Sequence, residues 1–495
     1  MTAPALEDGR RSLSSEQLHD EVDRLAGLLR AARAKVLATL LDNSAAWVLA
    51  DLAAARAGVV HLPLPTFFTG QQRAHALAAA GADALLLDRR PLRVDLAGVT
   101  THRTQAVAGS ELELLGLSNR AVALPAGTAK ITFTSGSTGA PKGVCLSASA
   151  MAKVAEGVAL ATDPLGIGRH LCALPLALLL ENVVGILAPR LRGATIVVPP
   201  LEQLGLHGSS SFDAAAFDRA VSAHRPHSFV LLPQMLRAWV GHLAGSGARA
   251  PDSLRLVAVG GAAVGASLIR SARALGIPAY EGYGLTEGGS VQTLNLPGAD
   301  RPGTVGRPLP HSRIRVNNDG EIECAGSTQL GYLGGISPGA DAWWRTGDLG
   351  HIDADGYLHL HGRRHNLLIT AFGRNVSPEW GETALKSEPV IAQAVGFGEA
   401  LPSLRAVLWP IGPDVSDAAL QAAVSAANAS LPDYARIHRW TRGFEPFDRS
   451  TGMATANGRP LRDAIAALHA EALGIPACGA VATRITPSSL QRVDQ

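Results

Sequence analysis

Apolar positions recur along this chain with two periods. Residues 15–34 put Leu18, Val22, Leu25, Leu28 and Leu29 on one side of a 3.6-residue repeat, which predicts an amphipathic helix. The stretches 36–41, 45–58 and 59–64 read as strand, helix and strand, and 71–80 followed by 84–87 repeats the unit. Helical patterns follow at 150–160, 181–191 and 212–224, with short apolar strands at 169–174, 195–198, 229–232 and 254–259. Such alternation predicts parallel sheets covered by helices. From about Thr304 the pattern changes to short β segments with hairpin signals. One is Val316-Asn317-Asn318-Asp319-Gly320-Glu321; another contains Asp355-Gly356, suited to a tight turn. A smaller α/β pattern resumes after Arg363, with helices at 378–386 and 417–428.

Composition sharpens this picture. At 495 residues the chain exceeds what one core holds, so two or more domains are expected. The predicted fold class is α/β. A large N-terminal domain, residues 1–362, combines helix-covered sheets with a small β-barrel-like part. A small α+β C-terminal domain, 363–473, follows a junction at 362–365, and 474–495 reads as a flexible tail. The balance of 44 basic against 42 acidic residues leaves no electrostatic footprint for nucleic acid. Cys145, Cys172, Cys324 and Cys478 lack CxxC spacing, which argues for a reducing compartment and against a disulfide framework or zinc site. Residues 1–11 are polar and charged, unlike a signal peptide. The apolar run 256–269 is broken by glycine and too short to span a bilayer. A cytoplasmic protein without a transmembrane segment is the expectation. Lysine is scarce: Lys35, Lys130, Lys142, Lys153 and Lys386 stand against 39 arginines.

The most informative chemistry lies at Thr134-Ser135-Gly136-Ser137-Thr138-Gly139-Ala140-Pro141-Lys142-Gly143. A β-branched lead-in, residues 130–133, ends in six residues that are only hydroxyl-bearing or glycine. Such a loop wraps N–H groups and hydroxyls around phosphate oxygens, because glycine permits close approach and positive φ. Pro141 stiffens the exit and Lys142 adds a point charge. A Walker A loop needs Gly-Lys-Ser/Thr in that order, and here Lys142 precedes a glycine. The segment closely resembles the phosphate loop of the adenylate-forming superfamily: acyl- and aryl-CoA synthetases, peptide-synthetase adenylation domains and luciferases.

Further blocks stand in the order that resemblance requires. Tyr283-Gly284-Leu285-Thr286-Glu287 is similar to the block whose aromatic stacks on adenine, whose threonine contacts the α-phosphate and whose carboxylate ligates Mg²⁺, a cation that favours hard oxygen donors. Gly260-Gly261-Ala262 resembles the family's adenine-side strand end. Trp344-Arg345-Thr346-Gly347-Asp348-Leu349 matches the block whose aspartate holds the ribose hydroxyls, and Gly362-Arg363 the arginine that contacts ribose and phosphate. A plain Asp348–Arg363 salt bridge is the simpler alternative. His365 occupies the family's hinge position, about which the small domain swings between half-reactions. His359, His361 and His365 suggest a metal site less than they suggest strand alternation. Gly373-Arg374-Asn375-Val376-Ser377-Pro378-Glu379 resembles the block lining the pantetheine tunnel. Its wording, with Leu174-Pro175-Leu176-Ala177 and Glu181-Asn182, looks most like long-chain acyl-CoA synthetases. The aromatic-Asp segment that pairs with a substrate ammonium is missing, which favours a lipophilic acid without an α-amino group.

One departure stands out. The family ends in Thr-x-x-Gly-Lys-x-x-Arg, and Thr455-Ala456-Asn457-Gly458-Arg459-Pro460-Leu461-Arg462 aligns with it except that the lysine is Arg459. No lysine follows Lys386, so no shifted alignment restores it. An arginine fork is not a conservative replacement for an ammonium at a precise site. Three readings stay open: Arg459 does the lysine's work in a reshaped site, adenylation is weakened, or the protein binds nucleotide or acyl-adenylate without turnover. The resemblance implies ATP and Mg²⁺ as cofactors and a small-molecule carboxylic acid as substrate. The acceptor is CoA or the phosphopantetheine of a carrier protein acting in trans, with amide formation as an alternative. It places Thr286, Glu287, Arg459 and Lys142 in catalysis. Nucleotide binding falls to Thr134, Ser135, Gly136, Ser137, Thr138, Gly139, Gly260, Gly261, Ala262, Tyr283, Gly284, Asp348 and Arg363, and the metal to Glu287.

Overall fold

In a computed structural model the protein divides into two compact units, residues 1–365 and 366–495. The described residues are 3–88, 99–107, 110–134, 142–208, 211–335, 342–364, 368–369, 375–399, 401–431, 433–455, 458 and 460–475.

The first unit holds the two large sheets that the alternating pattern predicts. One has nine strands and the other eight. The centre of the nine-stranded sheet is parallel, with Thr195–Val197, Arg169–Leu171, Ser228–Leu231, Leu256–Val259 and Ala279–Leu285 side by side. Its far edge turns antiparallel through Ser290–Leu294 and Arg307–Pro308. The eight-stranded sheet is parallel through Ala84–Asp88, Val36–Leu40, Val60–Pro63 and Thr128–Thr134, and antiparallel at both edges. The purely parallel reading is therefore corrected at the edges. Helix-linked strands must run parallel, but tight connections such as that between Val99–Val107 and Ser110–Leu117 allow only antiparallel pairing. The predicted barrel-like part is a four-stranded antiparallel sheet of Arg313–Val316, Glu321–Ala325, Trp344–Ile352 and Leu358–Arg363.

Helices form where capping and pattern agree. Ser15–Ala31 starts on a capping box from Ser14 and Gln17 and buries Leu18, Val22, Leu25 and Leu29. Ala45–Ala57 is mostly apolar, apart from Asp51 and Arg56, and correspondingly buried along most of its length. The helix predicted over 181–191 is corrected in kind. Leu179–Glu181 is α-helical, Asn182–Leu187 is a π-turn, and Ala188–Leu191 returns to α. Glu181 and Asn182 are both fully buried and committed to separate polar partners, a demand that a regular 3.6-residue spacing does not meet.

The second unit carries a three-stranded sheet of Ile391–Phe397, Leu404–Pro410 and Ile437–Arg442. Its helices are Pro378–Lys386, Asp417–Ala429 and Arg462–Leu473, and its core includes Leu385, Ile391, Leu408, Leu420 and Ile437.

Candidate active site

The predicted blocks of the first unit gather around the end of the strand Ala279–Leu285. That strand lies parallel to Leu256–Val259, so Gly260 and Gly261 follow directly beside it. A Cβ at Gly260 would come 3.1 Å from the Gly282 carbonyl. The neighbouring strand Ser290–Leu294 presses closely on Gly284, where the ladder shifts register; a Cβ there would stand 2.0 Å from the Ser290 oxygen. Only glycine fits. Directly after it, Thr286 and Glu287 form a 3₁₀ turn, and the Glu287 carbonyl accepts the Gln329 N–H at 2.7 Å.

Tyr283 sits on the strand itself, packed with Val305, Ile322 and Leu358, and its hydroxyl donates to Asp348 Oδ2 at 2.7 Å. Asp348 Oδ1 meets Arg363 Nε at 2.8 Å, because the hairpin register pairs these two residues across Trp344–Ile352 and Leu358–Arg363. The salt bridge foreseen as the simpler reading is thus present. Burial raises the Asp348 carboxyl above its ordinary range. Glu287 and Glu321 push the same way, while Arg363 and the Tyr283 hydroxyl oppose. Cys324 faces both Glu287 and Asp348, and burial with those charges lifts its thiol to about 12. Glu287 and Asp348 thus act on the same neighbours.

Lys142 pairs in register with Thr134, so the two ends of the predicted phosphate loop are neighbours. Ser135, Gly136, Ser137, Thr138 and Gly139 lie outside the described residues, as do His365, Gly373, Arg374 and Arg459. Lys142 Nζ stands 5.8 Å from the centre of the Tyr332 ring, and the Tyr332 hydroxyl donates to Glu287 Oε1 at 2.8 Å. Tyr332 thus links the loop lysine to the candidate metal carboxylate. Sequence reasoning missed it. The structure brings it here through the short Gly331–Tyr332 strand that pairs with Lys142–Ser147.

Two other missed residues hold the frame. Glu321, buried, takes Arg345 Nε at 2.9 Å, Arg364 at 2.7 Å and the Gly347 N–H at 3.1 Å, fixing the turn before Asp348. Burial alone would raise its carboxyl; the two arginines bring it below its usual value. Glu281 accepts the Val264 N–H at 3.0 Å and so anchors the end of the Gly260–Gly261–Ala262 turn. Burial pushes that carboxyl up to about 7.

In the second unit, Gly458 adopts φ +72° and its N–H bonds to the Thr455 carbonyl at 2.9 Å, a tight turn immediately before position 459. Arg462 donates to Glu382 and to the Gly396 carbonyl, and lies 3.6 Å from Glu379.

The family model for AMP-binding enzymes matches residues 1–333. The chain belongs to this family. Indoleacetate–CoA ligase of Aromatoleum aromaticum is 31% identical over 427 residues, covering 78% of this AMP-binding enzyme and 80% of the relative. A long-chain-fatty-acid–CoA ligase of Mycobacterium tuberculosis is 36% identical over 186 residues, and the match spans 37% of this chain but only 31% of that ligase. The fold matches that of o-succinylbenzoate CoA synthetase from Bacillus subtilis in complex with AMP. Its TM-score is 0.71 at 24% identity, covering 93% of this chain and 95% of the other. No helix among the described residues is long and apolar enough to cross a membrane.

Proposed function

We propose that this AMP-binding enzyme activates a carboxylic acid with ATP, releasing pyrophosphate, and passes the acyl group from the acyl-adenylate to the thiol of CoA or of a carrier-protein phosphopantetheine. The observation that carries the reading is the convergence of Glu287, Tyr332, Asp348, Arg363 and the Gly260–Gly261 turn about the end of one strand.

Each group has a task in that reaction. The glycine turn leaves room for a planar base, and Asp348 keeps acceptor capacity for ribose hydroxyls while Arg363 and Tyr283 fix its direction. Glu287 offers hard carboxylate oxygen at the edge of the phosphate region, a donor that fits Mg²⁺, and Tyr332 sets its rotamer. When bound there, Mg²⁺ neutralises phosphate charge. Lys142, Thr286 and the loop 134–139 hold the phosphates, and Arg459 supplies the charge that the family's lysine supplies. The substrate carboxylate attacks the α-phosphorus, and the bond to pyrophosphate breaks. Catalysis is thus positioning and electrostatic stabilisation, with no covalent enzyme intermediate. The acid is lipophilic, since the chain lacks the aromatic-Asp segment with which amino-acid adenylation domains pair a substrate ammonium. The location that suits this chemistry is the cytoplasm.

Pyrophosphate release measured against fatty, aryl and amino acids tests the proposal. Release with lipophilic acids is the expected result. ATP binding with no release for any acid would leave a nucleotide binder instead. Offering CoA, holo-carrier protein and amines to the released acyl-adenylate then identifies the acceptor.

A further inference from the structure

Away from this site, three side chains of different donor type meet in the core of the first unit. The ligand atoms of His170, Cys172 and Glu181 all lie within 4.8 Å of one another, and none of the three residues is more than 3% exposed. His170 and Glu181 are each held by a neighbour in the way metal ligands are held. His170 Nδ1 is 2.9 Å from Ser228 Oγ, which leaves Nε2 facing the cluster. Glu181 Oε2 accepts the Leu174 N–H at 3.1 Å, which leaves Oε1 facing it. The Cys172 thiol lies 3.6 Å from the Gly185 carbonyl.

Glycine at 185 lets the two groups approach the turn. A Cβ there would come 2.4 Å from Glu181 Oε1 and 3.2 Å from Cys172 Sγ, so any other residue at this position would displace both. His170 Nε2 and Glu181 Oε1 are 3.5 Å apart. Two bonds of zinc length at a tetrahedral angle give ~3.4 Å for that edge. Charge also balances, since a thiolate and a carboxylate cancel a divalent cation in a dry core where net charge is costly.

We propose that His170, Cys172 and Glu181 form a structural site for a divalent ion of the zinc class, tying the strand end at 170–172 to the π-turn at 182–187. The mixed nitrogen, sulfur and oxygen set selects a borderline metal over Mg²⁺ or Ca²⁺. Binding transfers no electrons. The Cys172 thiol and the Glu181 carboxyl bind as anions, any proton they carry leaving to solvent, and neutral His170 contributes its Nε2 lone pair. The site stands independently of the adenylation reading.

The whole protein, produced with zinc and separately with cobalt(II), then dialysed, provides the test. One zinc per chain by elemental analysis is expected, with proton release on metal addition to metal-free protein. The cobalt form should show a thiolate-to-cobalt charge-transfer band, and Cys172→Ser should lose that band along with the metal. Absence of stoichiometric metal in the wild type overturns the proposal, and needs no variant. So does a cobalt band that survives in Cys172→Ser or in His170→Gln. In those outcomes the three groups are a neutral hydrogen-bonded cluster. Metal content and the cobalt band are read without turnover, so a failure of adenylation is distinguishable from a failure of the metal site.

Discussion

Removing the ammonium of Lys130 should destabilise the first unit by more than any surface change. Lys130 is buried, and its Nζ donates to Asp51 Oδ1 at 2.6 Å and to the Asn182 side-chain oxygen. Asp51 also takes His61 Nδ1 at 2.6 Å and Asn182 Nδ2 at 2.8 Å, and His61 Nε2 is 2.9 Å from Thr39 Oγ1. Because ionised Asp51 only accepts, His61 carries its proton on Nδ1 and accepts from Thr39. Burial lowers the His61 pKa, so the ring is neutral and Lys130 is the charge that matches Asp51. Burial works against ionising Asp51, yet Lys130 and His61 hold its carboxyl far below the usual range. Lys130→Met keeps the length of the side chain and leaves that carboxylate unmatched. Breaking one partner of a buried pair costs about 3–5 kcal/mol. Asp51→Asn should cost a similar amount, and the double variant less than the sum of the two. The pH signs are opposite. In the wild type, Asp51 contributes stability above its unfolded pKa that is lost as pH falls through the depressed folded value. In Lys130→Met the folded pKa rises instead, so the penalty grows as pH increases from the unfolded value. Urea titration followed by tryptophan fluorescence reads this, since the Trp47 ring centre lies 5.9 Å from Lys130 Nζ. A Lys130→Met midpoint within ~1 kcal/mol of the wild type, at neutral pH, would refute the account of this network as a matched charge pair.

Three other perturbations probe the candidate site. Tyr332→Phe removes the hydroxyl from Glu287; a bond to a charged group is worth about 1.5–3 kcal/mol, so the apparent affinity for ATP with Mg²⁺ should fall about tenfold or more, and equal affinity by calorimetry would show that Glu287 needs no such guide. Glu281 has a folded pKa of about 7, so its favourable protonated form is lost as pH rises through that value; Glu281→Gln should remove this fall, and parallel stability profiles for the two proteins between pH 5 and 8 would count against it. Arg459→Lys should lower pyrophosphate release if the site has adapted to a guanidinium, whereas a large gain would mark Arg459 as a handicap.

What could be read in advance divides along a physical line. Backbone chemistry was legible, because glycine, hydroxyl and turn residues act at fixed spacing: Gly284 stood in the Tyr-Gly-Leu-Thr-Glu block, and the structure shows the Ser290 carbonyl against it. Hairpin signals were equally local, and the Asp355–Gly356 turn duly sets Asp348 opposite Arg363. Charge partners were not legible. Tyr332 reaches Glu287 from a strand 45 residues away, and Lys130 reaches Asp51 across 79, distances at which no periodicity carries information. The π-turn at Asn182–Leu187 shows the limit most clearly. Its apolar residues fit an ordinary helix, and the departure comes from two adjacent polar residues pulled to opposite partners, Glu181 to His170 and Asn182 to Asp51 and Lys130. The Glu181 tether also holds the apolar segment 174–180 by its first N–H. The same few residues therefore set the turn and join two buried networks beside the apolar segment 174–180. A substitution at Glu181 or Asn182 should disturb acid selection without touching the nucleotide groups, and the sign of that separation is a changed KM for acid at an unchanged KM for ATP.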